Sequence, residues 1–140
     1  MSRSGDRKSI RVGAAQFDAV AGDIAANIAA HERLIDDAGT RGVDVLVFPE
    51  LSLTGYASTL LDETPARCVI DPAGPDLAPI EDACRANRIV AVVGACLRGV
   101  AGLGLGAIVV DRRAGFAQPT SSSTSTATKR TGSSRALRDA

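Results

Sequence analysis

The chain has 140 residues, which is enough for one domain. Sixteen basic and sixteen acidic residues cancel to a formal net charge of zero, so bulk charge predicts neither a nucleic-acid partner nor an anionic membrane partner. Hydrophobic residues make up 45% of the chain and aromatic residues only 3%, which predicts a core of aliphatic side chains. The apolar runs are far shorter than the ~18 residues that cross a bilayer, and the polar start of the chain is unlike a secretory signal.

Three cysteines and one histidine are the rarer reactive side chains of this sequence. Cys68, Cys84 and Cys96 are odd in number and lack paired spacing, as expected of reduced thiols in a cytoplasmic protein. Each is interpreted as a small packing residue rather than a nucleophile, because free cysteine is among the most buried residue types. His31 lies on an apolar helical stripe and is interpreted as a partly buried structural residue. No metal site and no cofactor are predicted.

Composition divides the chain into three segments. Residues 1–9 are polar and are expected to be disordered, whereas residues 10–113 alternate apolar runs with turn signals and are expected to fold as one partial domain. Residues 114–140 form a tail in which eleven of the fifteen residues from Thr120 to Ser134 are Ser or Thr. Such a segment buries too little apolar surface to offset its ordering entropy, so we expect it to be disordered.

The first half of the folded segment has the pattern of a βαβ unit. Ile10–Phe17 is predicted to be a strand, Asp23 is predicted to cap the helix that follows, and Gly42 is predicted to end that helix. Val43–Phe48 is almost entirely apolar, which favours a strand that is covered on both faces and stopped by Pro49. Two strands joined by a helix in this way are expected to be parallel.

The second half is predicted to add a helix and two strands. Asp76–Asn87 has helical apolar spacing, with Pro79 in its first turn. Ile89–Val93 and Gly106–Asp111 are predicted strands, and the glycine-rich stretch Gly94–Gly104 is interpreted as a long hairpin loop. The pattern predicts an α/β sheet of mixed strand direction.

Glu50 is the candidate catalytic residue of this chain. It directly follows a predicted strand, and ligands of open α/β sheets bind beyond the carboxyl ends of strands. Desolvation at the rim of an apolar sheet would favour a carboxyl group that accepts a proton near neutral pH, as a general base must. Position alone is equally compatible with a solvated loop glutamate, because a carboxylate at a strand end is a weak motif.

Residues 10–56 carry four short motifs in one order. They are Ala15-Gln16 at the end of a strand, the Gly22-Asp23 turn, Phe48-Pro49-Glu50 after the second strand, and the Gly55-Tyr56 pair. In this order and spacing the segment resembles the amino-terminal part of the nitrilase superfamily, the carbon–nitrogen hydrolases. A weaker match continues through the predicted strands of the second half.

The resemblance implies the first half of an α-β-β-α sandwich and a Glu-Lys-Cys catalytic triad. Glu50 would be the general base, the Cys would attack the carbonyl or nitrile carbon, and the Lys would stabilise the oxyanion before water releases the acid. The implied activity is hydrolysis of a non-peptide C–N bond in a small amide, nitrile or carbamoyl compound, without a cofactor. The substrate-binding residues are unknown, and a homo-oligomer is expected of the full-length family member.

The chain departs from that pattern in lacking a matching catalytic Lys and Cys. Lys129 lies in the Ser/Thr-rich tail without the family's surrounding residues, and the three cysteines do not lie in the nucleophile motif. We therefore expect this chain alone to be inactive. Two other interpretations stay open: a non-catalytic, truncated α/β fragment, and an unrelated doubly wound domain whose Glu50 contacts a small ligand.

The tail itself is predicted to arise from a frameshift. If the gene is read one base earlier after Arg113, synonymous codons allow residues 114–120 to become GRVRAAY. The residues that follow then allow Tyr-x-Lys-x-x-Leu, the pattern around the family's catalytic Lys. Codon freedom permits some selection of a match, so the nucleotide sequence decides between a shifted frame and a native tail.

Overall fold

The computed structural model of the chain describes residues 9–56, 63–99 and 102–113. The predicted disorder of the amino terminus falls almost wholly on residues 1–8, and the predicted disordered tail is residues 114–140. Both lie outside the described residues. The main elements are β1 (Val12–Ala14), α1 (Ile24–Thr40), β2 (Val45–Val47), α2 (Ala78–Asn87), β3 (Val90–Gly99) and β4 (Gly102–Val110).

The four strands form one sheet in the order β1-β2-β3-β4. β1 pairs in parallel with β2, and β2 pairs in parallel with β3, while β3 and β4 are antiparallel. The predicted mixed α/β sheet and its parallel βαβ unit are therefore confirmed. Because β1 and β2 both run in the same direction, their carboxyl ends lie at one edge of the sheet, where the segment containing Glu50 begins.

Helix α1 begins and ends close to its predicted bounds. The side chain of Asp23 accepts a hydrogen bond of 3.0 Å from the backbone N–H of Ala26, which satisfies a donor left free at the helix start. Gly42, just after the helix, has a φ of 69°, a left-handed conformation that glycine adopts without steric cost. Among the described residues, neither helix combines the length and apolar character needed to cross a membrane.

Helix α2 is preceded by a short 3-10 turn, Pro75–Leu77, so the α-helix starts two residues later than predicted. Proline in the first turn is tolerated, because the N–H that it lacks would have no partner inside the helix. The two helices contact each other where Asn87 Nδ2 donates to Asp36 Oδ1 over 2.7 Å. This contact joins α1 to the carboxyl-terminal end of α2.

The predicted hairpin loop Gly94–Gly104 is wrong. Most of these residues belong to β3 and β4, whose pairing extends from Ala91 opposite Val110 to Gly99 opposite Gly102. Glycine is generally disfavoured in strands. Here the ladder of backbone hydrogen bonds along the two long strands outweighs that local preference. Cys96, which falls within the predicted loop, therefore lies inside β3.

The core lies between the two helices and one face of the sheet. Along β3 the side chains that face the helices are buried, and helix residues such as Ile35 and Ile80 pack against them. The remaining members include Ile28, Leu46, Phe48, Leu77, Cys84, Ala91, Val93 and Ala95. Aliphatic residues dominate this cluster, as the composition predicted.

The opposite face of the sheet is largely open. Val47 on β2 is 39% exposed, and Val12 on β1 and Val109 on β4 are 64% and 58% exposed. The prediction that the second strand is covered on both faces is therefore wrong for this chain: Leu46 faces the core, but Val47 faces outward. An apolar face of this kind is typical of a sheet that packs against another layer.

Candidate active site at the carboxyl end of β2

Glu50 lies in a tight turn that follows β2 and comprises residues 49–55, here called the Glu50 turn. The backbone N–H of Ser52 donates to the carbonyl of Pro49 over 3.2 Å, and that of Gly55 donates to the carbonyl of Leu51 over 2.7 Å. Leu51 has a φ of 55°, which is uncommon for a residue with a side chain. Gly55 has a φ of 70°, and a Cβ there would lie 2.7 Å from the Cα of Ala21. The predicted tight turn at Gly55 is thus present.

The turn borders a concavity of about 200 Å³. Its lining comes from the segment after β1 and from the Glu50 turn, namely Phe17, Asp18, Ala19, Pro49, Glu50, Leu51, Ser52 and Tyr56. The volume is below the range of about 300–1,000 Å³ usual for ligand pockets. Glu50 itself is exposed, so the desolvation expected at the rim of the sheet is absent in this chain.

Tyr56 is the direct partner of the Glu50 carboxylate. Its hydroxyl donates to Glu50 Oε2 over 3.2 Å, although the Tyr56 side chain is 74% exposed. This hydrogen bond and the negative charge of the carboxylate raise the pKa of Tyr56, because both favour the neutral phenol. Glu50 and Tyr56, six residues apart, are therefore brought together at the mouth of the concavity.

Substitution of Glu50 by glutamine is expected to lower the pKa of Tyr56 toward its ordinary value. The amide carries no charge, so both causes of the raised pKa weaken. Tyr56 is the only tyrosine of the chain, which has no tryptophan, so tyrosinate absorbance reports on this residue alone. Asp18→Asn, in the same concavity, is the matched control and should leave the titration in place. An identical titration in Glu50→Gln and the native chain would contradict the geometry.

A layer of buried polar side chains lies beneath the turn. Asn27, His31, Ser52 and Thr54 are each no more than 1% exposed. Asn27 Nδ2 donates to the carbonyls of Val20 and Leu53 over 2.8 and 2.9 Å, and its Oδ1 accepts from the Val20 N–H. The layer therefore ties helix α1 both to the segment after β1 and to the Glu50 turn.

His31 is fully buried, not partly buried as predicted, and it is hydrogen-bonded on both ring nitrogens. Its Nδ1 lies 2.7 Å from the carbonyl of Asn27 and its Nε2 lies 2.9 Å from Ser52 Oγ. The ring stacks on Phe48 and meets the edge of Phe17. Burial lowers the pKa of His31 to about 4, so the imidazole is neutral at pH 7. Its predicted structural role agrees with these contacts.

Stability should fall in acid because of His31. The unfolded chain binds a proton at His31 below a pKa of 6.5, whereas the folded chain does so only below about 4. The neutral, buried His31 therefore stabilises the fold fully above pH 6.5. As the pH falls toward 4, the free energy of unfolding decreases by up to about 3 kcal/mol. Urea unfolding followed by circular dichroism across this range measures it. His31→Gln should remove this part of the pH dependence, and an unchanged dependence would contradict the assignment.

The described residues contain no lysine, and their three cysteines are buried. Lys8 and Lys129 are the two lysines of the sequence, and both lie outside those residues. Cys68, Cys84 and Cys96 are buried, as predicted. Burial raises the pKa of Cys84 to about 11 and also raises that of Cys96, which disfavours thiolates. Within the same ranges, no group of three His, Cys, Asp or Glu side chains could hold a metal ion.

Solved structures share this fold. A glutamine-dependent NAD(+) synthetase from Cytophaga hutchinsonii is 22% identical with a TM-score of 0.57, over 74% of this chain and 17% of that one. An amidase from Nesterenkonia sp. is 20% identical with a TM-score of 0.56, over 74% and 38%. A CN-hydrolase superfamily protein from Xanthomonas campestris, which has an arsenic adduct in its active site, is 18% identical with a TM-score of 0.61, over 74% and 37%.

The chain thus spans well under half of the length of each of these proteins. No curated protein sequence matches it. The family model for carbon-nitrogen hydrolases matches residues 11–123, which include β1, α1, the Glu50 turn and both long strands. The chain therefore belongs to the carbon-nitrogen hydrolase family.

Proposed function

We propose that residues 10–113 form the general-base half of a hydrolase that cleaves a C–N bond in a small amide, nitrile or carbamoyl compound. The observation that carries this proposal is Glu50, which lines a concavity beyond the carboxyl end of a parallel strand in a member of this family. Its carboxylate is exposed toward that space, and Tyr56 holds it there with one hydrogen bond. A carboxylate in such a place can accept a proton from a reacting group.

The chemistry requires two further groups. By the family resemblance, a cysteine thiol gives its proton to Glu50, and the thiolate attacks the carbonyl or nitrile carbon. A lysine ammonium stabilises the negative charge that develops on the substrate oxygen or nitrogen. Glu50 returns the proton to the departing nitrogen, so that an amide or carbamoyl compound loses its amine or ammonia and leaves a thioester. A nitrile gives a thioimidate, which must add one water before it loses ammonia. A further water then releases the acid from the thioester. The thiols of this chain are buried, which does not suit the first step.

The complete site is therefore formed in a longer protein. The open sheet face supports this proposal, because Val12, Val47 and Val109 expose apolar surface where a second layer would pack. The small concavity supports it as well, since additional chain would deepen the space in front of Glu50. The chain as given is then expected to have no hydrolytic activity of its own.

The continuation of that longer protein is encoded in the frame one base earlier after Arg113. The abrupt change from an apolar α/β pattern to a Ser/Thr-rich tail supports this part of the proposal, whereas the match of the family model in the given frame as far as residue 123 counts against a change directly after Arg113. The nucleotide sequence of the gene tests it. If the bases beneath Ser121 and Ser122 do not spell a lysine codon in the shifted frame, the tail is native and the frameshift is wrong.

The function is tested by assay of the longer protein against a panel of small amides, nitriles and carbamoyl compounds, with ammonia release as the readout. Thiol-dependent turnover of at least one class supports the proposal, and the 140-residue chain should show none. A folded longer protein that turns over no member of the panel would contradict it. Turnover by the 140-residue chain would contradict its expected inactivity.

A further inference from the structure

We propose that Ser52 and His31 act as positioning residues that hold the Glu50 turn against β3. This inference rests on the proposed function for its role in catalysis, but its geometry stands on the buried contacts alone. Ser52 Oγ lies 2.9 Å from His31 Nε2 and accepts a hydrogen bond of 3.2 Å from the backbone N–H of Gly94. One hydroxyl thus joins helix α1, the turn and the third strand.

The direction of each hydrogen bond follows from the neighbour of the other imidazole nitrogen. The carbonyl of Asn27 can only accept, so His31 Nδ1 carries the hydrogen and Nε2 is left as an acceptor. Ser52 therefore donates to Nε2 and accepts from Gly94. Among residues 9–56, 63–99 and 102–113, the hydrogen bonds and ring contacts of the His31 side chain are with Asn27, Ser52 and the rings of Phe17 and Phe48, all of which are uncharged. A neutral ring fits this arrangement.

Beyond the end of β2, the turn that contains Ser52 makes the hydrogen bonds to β3 that a longer β2 would have made. The pairing of β2 with β3 stops at Val47 opposite Val92, which leaves the N–H and carbonyl of Gly94 without strand partners on that side. Ser52 Oγ accepts from the Gly94 N–H, and the N–H of Leu53 donates to the Gly94 carbonyl over 2.9 Å. The turn is thereby fixed to β3 by both polar groups of one residue.

Two residues further along the turn and along β3, Thr54 makes a similar but longer hydrogen bond to the strand. Thr54 Oγ1 accepts from the N–H of Cys96 over 3.4 Å, and the carbonyl of Thr54 accepts from Gly22 over 3.1 Å. The hydroxyl groups of alternate turn residues therefore accept from the N–H groups of alternate residues of β3. Glu50 is the residue two positions before Ser52, so a shift of Ser52 away from β3 would move the Glu50 backbone and the direction of its carboxylate.

Tyrosinate titration of Tyr56 provides a readout that needs no activity. Because Glu50 raises the pKa of Tyr56, displacement of Glu50 lowers that pKa toward its ordinary value. Ser52→Ala should reproduce most of the shift seen with Glu50→Gln while the circular dichroism spectrum, recorded at the same pH values, stays native. Ser52→Cys keeps the buried volume and weakens the hydrogen bond, so it should shift the titration in the same direction if alanine prevents folding.

His31 offers a matched pair of variants. His31→Leu removes the acceptor for Ser52 and should shift the Tyr56 titration, whereas His31→Gln retains an amide oxygen at a similar reach and should restore most of the native value. A purely space-filling role for His31 predicts the same titration for both. Folded Ser52→Ala and Ser52→Cys chains with a native Tyr56 titration would overturn the proposal.

The longer protein separates this inference from the proposed function. There, Ser52→Ala should lower kcat by at least about tenfold with little change in KM, since a displaced base affects the chemical step more than binding. An active native protein whose kcat is unaffected by Ser52→Ala would overturn the positioning role alone. A native protein without activity would instead defeat the proposed function, and the Tyr56 titration would still decide the geometry.

Discussion

Gly94→Ala is expected to destabilise the fold by about 3 kcal/mol, near the upper end of the usual cost of overpacking. A Cβ at Gly94 would lie 2.7 Å from the carbonyl oxygen of Pro49, 2.8 Å from the N–H nitrogen of Leu51 and 3.0 Å from the Cα of Glu50. All three are backbone atoms, so no side chain can rotate away. The turn must move off β3, and the hydrogen bonds that Ser52 and Leu53 make to Gly94 must lengthen or break.

Gly104→Ala is the matched control for this change. Gly104 also lies in a long strand, but a Cβ there would have no atom within 4 Å. Alanine in place of a strand glycine reduces the entropy lost on folding, so this variant should be neutral or up to about 1 kcal/mol more stable. Urea unfolding followed by circular dichroism compares the two free energies of unfolding. Equal values for the two variants would mean that β3 and the turn are not in close contact.

The βαβ unit could be predicted because its signals are local. Asp23 caps α1 and Gly42 follows its end, and each acts on the backbone within a few residues. The place of Glu50 follows from the same unit, because a parallel strand must deliver its last residues to one edge of the sheet. Only the lengths of β1 and β2 differ from the prediction, because the residue at which a strand ends depends on its pairing with the neighbouring strand.

The extent of β3 and β4 could not be predicted from local preference. The stretch Gly94–Gly104 contains four glycines, which is a turn-like composition, but long-range pairing determines its conformation. Local preference likewise does not determine whether one or both faces of β2 are covered. An apolar run such as that around Val47 has the same sequence whether one or both of its faces are covered.

The buried polar layer could not be predicted because its members are far apart in sequence. Ser52 and His31 are 21 residues apart, and Ser52 and Gly94 are 42 apart. Nothing about a single serine or histidine indicates a partner at that separation. The spacing of Ser52 and Thr54 after Glu50 is a signal only once the position of β3 is known, since alternate residues then bind its alternate backbone groups.

In the longer protein, Glu50→Gln is expected to lower kcat by about 10²- to 10⁴-fold, the usual contribution of a general base. Glutamine has nearly the same shape, and its amide oxygen can still accept the hydrogen bond from Tyr56. It cannot take up a proton, so the nucleophilic thiol is not activated. Because Glu50 is exposed and lies in a turn, the substitution should change the free energy of unfolding by less than about 0.5 kcal/mol.

Glu81→Gln on helix α2 is the control of identical chemistry, since it removes a carboxylate that does not line the concavity. The most direct measurement is the kcat of the longer protein and of these two variants on the best substrate of the panel, at matched fold and concentration. We expect Glu81→Gln to stay within about twofold of the native rate, and Glu50→Gln to fall by at least about 10²-fold. A folded Glu50→Gln variant that retains the native kcat would contradict the assignment of Glu50 as the general base.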